Sequence, residues 1–144
     1  MDVAILGTGK MGSAIARRLH EQSHTVHLWN RTPGRAESLG IGTTYATPAQ
    51  AAAPAQVVLS VLTGTEGVRQ VYLGDHGALE AGGDRLYVDI TTASLEVHVE
   101  VAAAAAERGT AFVEAPVLGS IPAAESGSLL LLVGGDTAAV DAAR

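Results

Sequence analysis

A glycine-rich turn near the amino terminus is the segment best suited to bind a charged ligand. It reads Gly7-Thr8-Gly9-Lys10-Met11-Gly12, the pattern GxGxxG, between a short apolar segment and a segment with helical spacing of apolar residues. Gly7 permits a tight turn, Gly9 lets a pyrophosphate approach the main chain, and Gly12 lets the following helix pack closely. Free N–H groups and the positive dipole end at the start of that helix favour an anion. The turn, with Thr8, Lys10 and Met11, is therefore predicted to bind a dinucleotide, although a lone motif of this kind also occurs in purely structural turns.

The choice of dinucleotide depends on residues about 20 positions after the glycines. An Asp or Glu there accepts hydrogen bonds from the adenosine ribose of NAD, but this chain has Asn30-Arg31-Thr32. Asn30 removes a carboxylate that would repel a 2′-phosphate, while Arg31 and Thr32 supply a guanidinium and a hydroxyl that can hold one. A charge-assisted hydrogen bond contributes about 1.5 to 3 kcal/mol, or roughly ten- to more than hundredfold in affinity. The sequence therefore predicts NADP as cofactor ahead of NAD. The alternative is that Arg31 is a solvated charge in a loop. Lys10 can likewise be an exposed loop lysine with no role in phosphate binding.

Elements that would position these residues alternate along the chain. Helices are expected from residues 10, 33, 48, 65, 95 and 136 or 137, with Thr32, Thr47 and Ser94 as starting residues. Strands are expected at residues 2–6, 25–29, 56–62, 86–90, 111–114 and 128–133. Strands that alternate with helices predict an α/β fold of the Rossmann type, doubly wound, with a mostly parallel sheet covered by helices on both faces. Residues 1–144 are expected to form one such domain.

Composition excludes several classes of function. The formal charge of −6 disfavours nucleic acid as a partner, and the absence of cysteine excludes disulfides, thiolate metal sites and cysteine nucleophiles. No metal site is predicted, because the five histidines lack ligand spacing, and Ser94 and Ser126 lack the GxSxG setting of a hydrolase nucleophile. His98 is expected with Glu96 and Glu100 on the solvated face of the long helix. Without a leader or an apolar run of about 18 residues, the chain is expected to be soluble, unprocessed and cytoplasmic, with no membrane partner.

The assembled motifs resemble those of the β-hydroxyacid dehydrogenase family, which includes 3-hydroxyisobutyrate dehydrogenase and the glyoxylate and succinic semialdehyde reductases. The resemblance covers the whole chain and rests on Gly7 to Gly12, Trp29-Asn30-Arg31-Thr32, Asp89-Ile90-Thr91-Thr92, Glu114-Ala115-Pro116-Val117-Leu118-Gly119-Ser120, and Gly127-Ser128-Leu129 leading to Val133-Gly134-Gly135. It implies that Thr92 lies beside the nicotinamide ring and that Val61, Leu62 and Thr63 line the cofactor. Both segments lie at the carboxyl ends of predicted strands, where an open α/β sheet places its ligands. A turn or cap hydroxyl is the alternative reading of Thr92.

The chain departs from the family's pattern at the substrate loop. There the resemblance assigns binding of a substrate carboxylate to Leu118, Gly119 and Ser120, but Leu118 replaces the family's serine and offers no hydroxyl. A small β-hydroxyacid or semialdehyde remains the expected substrate, and imine reductases, which share the fold and the Asn-Arg-Thr element, are the enzymatic alternative. A non-catalytic NADP-binding module is the alternative from a different class.

The proton donor of the resembled family is not found in this chain. The family places a catalytic lysine on a helical C-terminal domain that closes the substrate site and forms the homodimer, and Lys10 is the only lysine here. We therefore expect that this domain is absent, that no catalytic residue lies within residues 1–144, and that the chain alone turns over poorly. Apolar surface intended for such a domain would be exposed, so self-association is expected.

Overall fold

The computed structural model describes all residues from Met1 to Arg144 as strands and helices in alternation. In chain order the strands are β1 (Asp2–Leu6), β2 (Thr25–Trp29), β3 (Thr43–Thr44), β4 (Val57–Ser60), β5 (Leu86–Asp89), β6 (Ala111–Glu114), β7 (Val117–Leu118), β8 (Leu130–Leu131) and β9 (Gly134–Gly135). The helices are α1 (Lys10–Glu21), α2 (Pro33–Glu37), α3 (Pro48–Ala52), α4 (Gly64–Leu73), α5 (Leu95–Glu107), α6 (Ile121–Ser126) and α7 (Thr137–Ala142), with a 3-10 helix at Ala78–Ala81. No helix is both long enough and apolar enough to cross a membrane.

Seven strands form one sheet in the order β3-β2-β1-β4-β5-β6-β9. All neighbours pair in parallel except β6 and β9, which are antiparallel. The chain winds outward from β1 through β2 to β3, then returns to β4 and winds the other way through β5 to β6. The order therefore reverses between β1 and β4, and the carboxyl ends of these strands are where an open α/β sheet holds its ligand. The predicted Rossmann fold is confirmed.

Alternate residues of the central strands enter apolar clusters on opposite faces of the sheet. In β1, Ala4 and Leu6 pack into one cluster, while Val3 and Ile5 pack into another. This two-sided burial explains why β1 reads as a continuous apolar run, since each face is covered by helices. The start residues of two helices are also as predicted, because the Thr47 hydroxyl accepts from Gln50 N at 3.2 Å, and that of Ser94 accepts from Val97 N at 3.4 Å.

The predicted strand over residues 128–133 is wrong. Leu130–Leu131 instead pairs with Val117–Leu118 in a separate two-stranded sheet, and Gly134–Gly135 is the strand that joins the main sheet. The leucine run resembled a buried strand, but Leu130 and Leu132 are 58% and 54% exposed. The chain doubles back here through α6, which was not predicted although it has Pro in its first turn and a left-handed glycine after its last residue.

The expectation that His98 lies on the solvated face of α5 is also wrong. Glu96 and Glu100 are exposed, but His98 is only 7% exposed. Its ring nitrogens lie 2.9 Å from carboxylate oxygens of Asp89 and Glu114, at the carboxyl ends of β5 and β6. A histidine can be buried when charged partners satisfy both nitrogens, and those partners are supplied by strands distant in the sequence.

Candidate cofactor site

The glycine turn connects β1 to α1 and needs glycine at its first and last positions for steric reasons. Gly7 has a φ of +104°, and a Cβ there would overlap the carbonyl oxygen of Val61. A Cβ on Gly12 would overlap the carbonyl oxygen of Gly7, so the helix could not begin as close to the turn. Gly9 differs, because a Cβ there would meet no atom within 4 Å. The space in front of the α1 amino terminus is therefore open, and it can admit a phosphate without displacing protein atoms.

A cleft of about 430 Å³ opens over the carboxyl ends of the strands beside this turn. It brings together eight of the residues that sequence reasoning placed at a cofactor: Gly7, Gly9, Asn30, Arg31, Thr32, Val61, Leu62 and Thr63. Its remaining walls are Trp29, Arg35, Ala46, Thr47, Pro48, Gly67, Gln70, Val71, Asp75 and His76. The cleft thus runs from the end of β2, past the glycine turn, to the segment after β4, which is the path a dinucleotide takes across such a sheet.

Five predicted cofactor residues do not line the cleft. Gly12 and Thr8 are buried, Met11 is half-buried, and Lys10 and Thr92 are exposed. The hydroxyl of Thr8 has no hydrogen-bond partner, while its main-chain N–H donates to Asn30 Oδ1 at 2.9 Å. Gly12 and Thr8 therefore support the turn from its buried side and do not face the cleft.

The side chain of Asn30 fastens the end of β2 to the glycine turn. Its Oδ1 accepts from Thr8 N at 2.9 Å, and its Nδ2 donates to the carbonyl oxygen of Thr32 at 3.0 Å. Both polar groups of the amide are thus used within the protein, so the amide acts as a brace between two loops of the cleft. Sequence reasoning saw in Asn30 only the missing carboxylate, because a hydrogen bond to a residue 22 positions away is not visible in a local pattern.

Two guanidinium groups flank the cleft at its β2 end. Arg31 and Arg35 are both exposed, and neither forms an ion pair. Thr32 lies between them at the start of α2, and its hydroxyl makes no capping hydrogen bond. Sequence reasoning missed Arg35, which lies in the single turn of α2, because one basic residue on a short helix has no distinctive pattern. Asp75 and His76 also line the cleft and supply the only other ionisable side chains in its walls.

The segments that follow β4 and β5, including the first turn of α4, are joined by hydrogen bonds. Leu62 N donates to Thr91 Oγ1 at 2.9 Å, and Ser94 N donates to Thr65 Oγ1 at 3.0 Å. The exposed Thr92 lies between these two anchored positions of its loop. These two bonds hold the segments after β4 and β5 together, and both segments lie on the side of β1 opposite to the arginines.

The three predicted substrate residues lie outside the cleft, on the two-stranded sheet and the turn into α6. Leu118 is 56% exposed, and Gly119 and Ser120 are also exposed. Gly119 has a φ of +143°, and a Cβ there would come within 2.7 Å of Leu129. Ser120 immediately precedes α6, and its hydroxyl makes no capping hydrogen bond. Within this chain the segment therefore presents the exposed Leu118 side chain, with the uncapped hydroxyl of Ser120 beside it.

The residues present fit a dinucleotide with a charged pyrophosphate. An open helix amino terminus, a glycine without steric neighbours and two unpaired guanidinium groups line one continuous cleft. The cleft volume lies within the range of small-molecule and cofactor sites, about 300 to 1,000 Å³.

Comparison with known proteins agrees with this geometry. The NAD-binding domain of 6-phosphogluconate dehydrogenase matches residues 2–144. A 3-hydroxyisobutyrate dehydrogenase from Pseudomonas aeruginosa is 36% identical over 93% of this chain and 46% of the relative. A solved structure described as Psf3 in complex with NADP+ and 2-OPP has a TM-score of 0.90 at 30% identity, over 99% of this chain and 51% of that one.

An imine reductase is also among the similar structures. The Streptomyces aurantiacus enzyme has a TM-score of 0.87 at 31% identity, over 100% of this chain and 50% of that chain. The chain spans about half the length of the curated relatives it matches. The match over nearly every residue, together with the Rossmann topology and the glycine turn, shows that this chain belongs to the family of 6-phosphogluconate dehydrogenase-type NAD-binding domains, as found in the β-hydroxyacid dehydrogenases.

Proposed function

We propose that this chain is the cofactor domain of an oxidoreductase that uses NADP(H) in preference to NAD(H). The observation that carries the proposal is that Arg31 and Arg35 form no ion pair and line the cleft near the end of β2. Asn30 lies there, at the position where an NAD-binding domain has a carboxylate. A 2′-phosphate placed there would accept charge-assisted hydrogen bonds from guanidinium groups, whose planar donors suit phosphate oxygens. The similarity to a protein solved with NADP+ supports the same choice.

Each segment of the cleft has a separate role in this proposal. The main-chain N–H groups at Gly9 and Lys10 bind the pyrophosphate, with Lys10 and Met11 bordering it and Thr8 and Gly12 fixing the turn. Val61, Leu62, Thr63 and Thr92 border the nicotinamide ring at the ends of β4 and β5. The bound cofactor supplies the hydride chemistry, and the protein supplies binding and orientation.

The proposed reaction is hydride transfer between NADP(H) and a small β-hydroxyacid or semialdehyde. It is supported by the similarity to 3-hydroxyisobutyrate dehydrogenase, with Leu118, Gly119 and Ser120 at the substrate loop. Reduction of a carbonyl also needs a proton for the developing alkoxide. No residue of the chain is assigned this role, so we propose that a helical domain of the kind implied by the resemblance supplies the donor and the homodimer contact.

A second candidate reaction is reduction of an imine. Leu118 favours it, because a leucine at this position cannot donate a hydrogen bond to a substrate carboxylate and leaves an exposed apolar surface instead. The loss of such a bond weakens binding of an acid by about 1.5 to 3 kcal/mol. Similarity to the imine reductase from Streptomyces aurantiacus is consistent with this alternative.

Calorimetric titration with NADPH and NADH tests the cofactor proposal. We expect NADPH to bind more tightly to the natural sequence, and each of Arg31→Ala and Arg35→Ala to weaken NADPH binding by about tenfold or more while changing NADH binding little. Arg17→Ala is the matched control, because Arg17 is exposed on α1, does not line the cleft and carries the same charge. Equal affinities for the two nucleotides in the unmodified chain would contradict NADP preference, and binding of neither would contradict a cofactor role for the cleft.

A further inference from the structure

A buried polar cluster lies directly under the loop that follows β5. At its centre is Asp89, the last residue of β5, whose side chain is fully buried. Its Oδ1 accepts from Ser60 Oγ at 2.7 Å and from Thr91 N at 3.1 Å, and its Oδ2 lies 2.9 Å from His98 Nε2. The hydroxyls of Ser60 and Tyr72 are 2.7 Å apart. These three partners stabilise the buried carboxylate, because burying a charge without partners costs free energy.

His98 joins this cluster to a second carboxylate. Its Nε2 faces Asp89, and its Nδ1 lies 2.9 Å from Glu114 Oε2, at the end of β6. Because His98 lies in the first turn of α5, these two contacts connect the helix to the carboxyl ends of β5 and β6.

The hydrogen bonds continue from Asp89 to the loops of the cofactor cleft. Asp89 holds the main-chain N–H of Thr91, and the Thr91 hydroxyl accepts from the main-chain N–H of Leu62. Leu62 lines the cleft. The order of contacts is thus His98, Asp89, Thr91, Leu62, and each step is a hydrogen bond of 3.1 Å or less.

We propose that His98 is a positioning residue for the nicotinamide side of the site. By binding Oδ2 of Asp89, His98 fixes the carboxylate in the orientation that holds Thr91, and through it the loops that carry Thr92 and Leu62. The inference rests on the proposed function, in which these loops border the nicotinamide ring. The arginines follow β2, on the other side of β1, and neither they nor the glycine turn form a hydrogen bond with this cluster. Loss of His98 therefore weakens binding of the nicotinamide half and leaves binding of the adenosine half unchanged.

Three substitutions separate hydrogen bonding from packing. His98→Leu fills the space without a donor. His98→Gln can place an amide N–H where Nε2 lies, toward Asp89, whereas His98→Asn can place one only where Nδ1 lies, toward Glu114. If the contact with Asp89 carries the effect, glutamine restores binding and asparagine does not. Leucine and glutamine are of similar size, so simple loss of ring packing would affect these two variants alike.

The measurement compares NADPH with adenosine 2′,5′-bisphosphate, which has no nicotinamide half. We expect His98→Leu and His98→Asn to weaken NADPH binding about tenfold, with unchanged affinity for the bisphosphate, and His98→Gln to stay close to the unmodified chain. An equal loss for both ligands, or no loss for either, would overturn the proposal.

Amide hydrogen exchange of Leu62 and Thr91, measured without any nucleotide, provides a second and independent readout. Faster exchange of these two amides is expected in His98→Leu and His98→Asn, but not in His98→Gln. Unchanged exchange in all three variants would refute the link from His98 to the loops. If the unmodified chain binds neither ligand, the proposed function fails, while the exchange measurement still decides whether His98 orders the loops. If His98→Leu does not fold, the comparison of glutamine with asparagine remains.

Discussion

Substitution of Asn30 by aspartate tests how the end of β2 selects the cofactor. The change is nearly isosteric, and it leaves an oxygen at Oδ1, 2.9 Å from Thr8 N. It removes the Nδ2 donor that lies 3.0 Å from the Thr32 carbonyl oxygen and places a second carboxylate oxygen there. The variant therefore keeps one half of the brace, loses the other half and adds a negative charge beside Arg31.

The expected magnitudes follow from these two contacts. Loss of the bond to Thr32 costs about 1 kcal/mol, while the bond from Thr8 N becomes charge-assisted and gains a similar amount, so the free energy of unfolding should change by about 1 kcal/mol or less. For the ligands, the carboxylate competes for Arg31 and repels a 2′-phosphate, which weakens NADPH by about 1.5 to 3 kcal/mol. A carboxylate that accepts ribose hydroxyls strengthens NADH by a similar amount. Together these effects shift the NADPH-to-NADH affinity ratio by about a hundredfold or more.

Calorimetric titration with both nucleotides measures this ratio, and thermal unfolding confirms that the variant is folded. Asn30→Ala is the control, because it removes both halves of the brace without adding charge. We expect Asn30→Ala to weaken NADPH and NADH alike, since the glycine turn serves both. If Asn30→Asp left the ratio unchanged, or changed it in the same way as Asn30→Ala, the argument that charge at this position selects the cofactor would be refuted.

Three further outcomes are expected. Gly12→Ala should lower the melting temperature, because its Cβ would overlap the main-chain oxygen of Gly7. Gly9→Ala should melt at nearly the temperature of the unmodified chain but lose nucleotide binding, since its Cβ would occupy the open space in which we place the phosphate. Equal melting temperatures for the two variants would contradict this. Burial raises the pKa of Tyr72 well above its usual range, so its contribution to stability is complete below about pH 10 and falls as the pH rises further; urea unfolding should show a shallower alkaline decline in Tyr72→Phe. Leu130 and Leu132 are more than half exposed, so light scattering should show self-association that Leu130→Asp with Leu132→Asp reduces, and a strict monomer at high concentration would count against it.

Most of the fold could be predicted because its signals are local. Strands such as Asp2–Leu6 are short apolar runs, and helices such as Leu95–Glu107 begin at a capping residue and end before a glycine. The short strand Thr43–Thr44 and the 3-10 helix Ala78–Ala81 were not predicted, and the remaining failures lie in the segment after β6. There the exposed run at Leu130 has the composition of a buried strand, and only its partner, Val117–Leu118, decides that it forms a separate two-stranded sheet. Composition predicts burial on average, but it does not identify the pairing partner.

The candidate site divides in the same way. The side that we assign to adenosine and pyrophosphate could be predicted from the sequence, because Gly7 to Gly12 and Asn30 to Thr32 are each a single short segment. Arg35 was missed although it is only four residues after Arg31, since a basic residue on a short helix has no distinctive pattern of its own. The side that we assign to nicotinamide depends on contacts between residues distant in the chain, as the bond from Leu62 N to Thr91 Oγ1 illustrates.

His98 shows why such contacts escape a local reading. Periodicity placed it beside two exposed glutamates on a helix, and a polar residue there is normally solvated. Its burial is stable only because β5 and β6 end in Asp89 and Glu114 at the height of its ring. Asp89, which is fully buried, would in turn lose one of its three hydrogen-bond partners without His98 from α5. The start of α5 and the end of β5 therefore stabilise each other through the contact between His98 and Asp89. This contact, together with the bond from Ser94 N to Thr65 Oγ1, fixes the course of the loop between them, which carries Thr92.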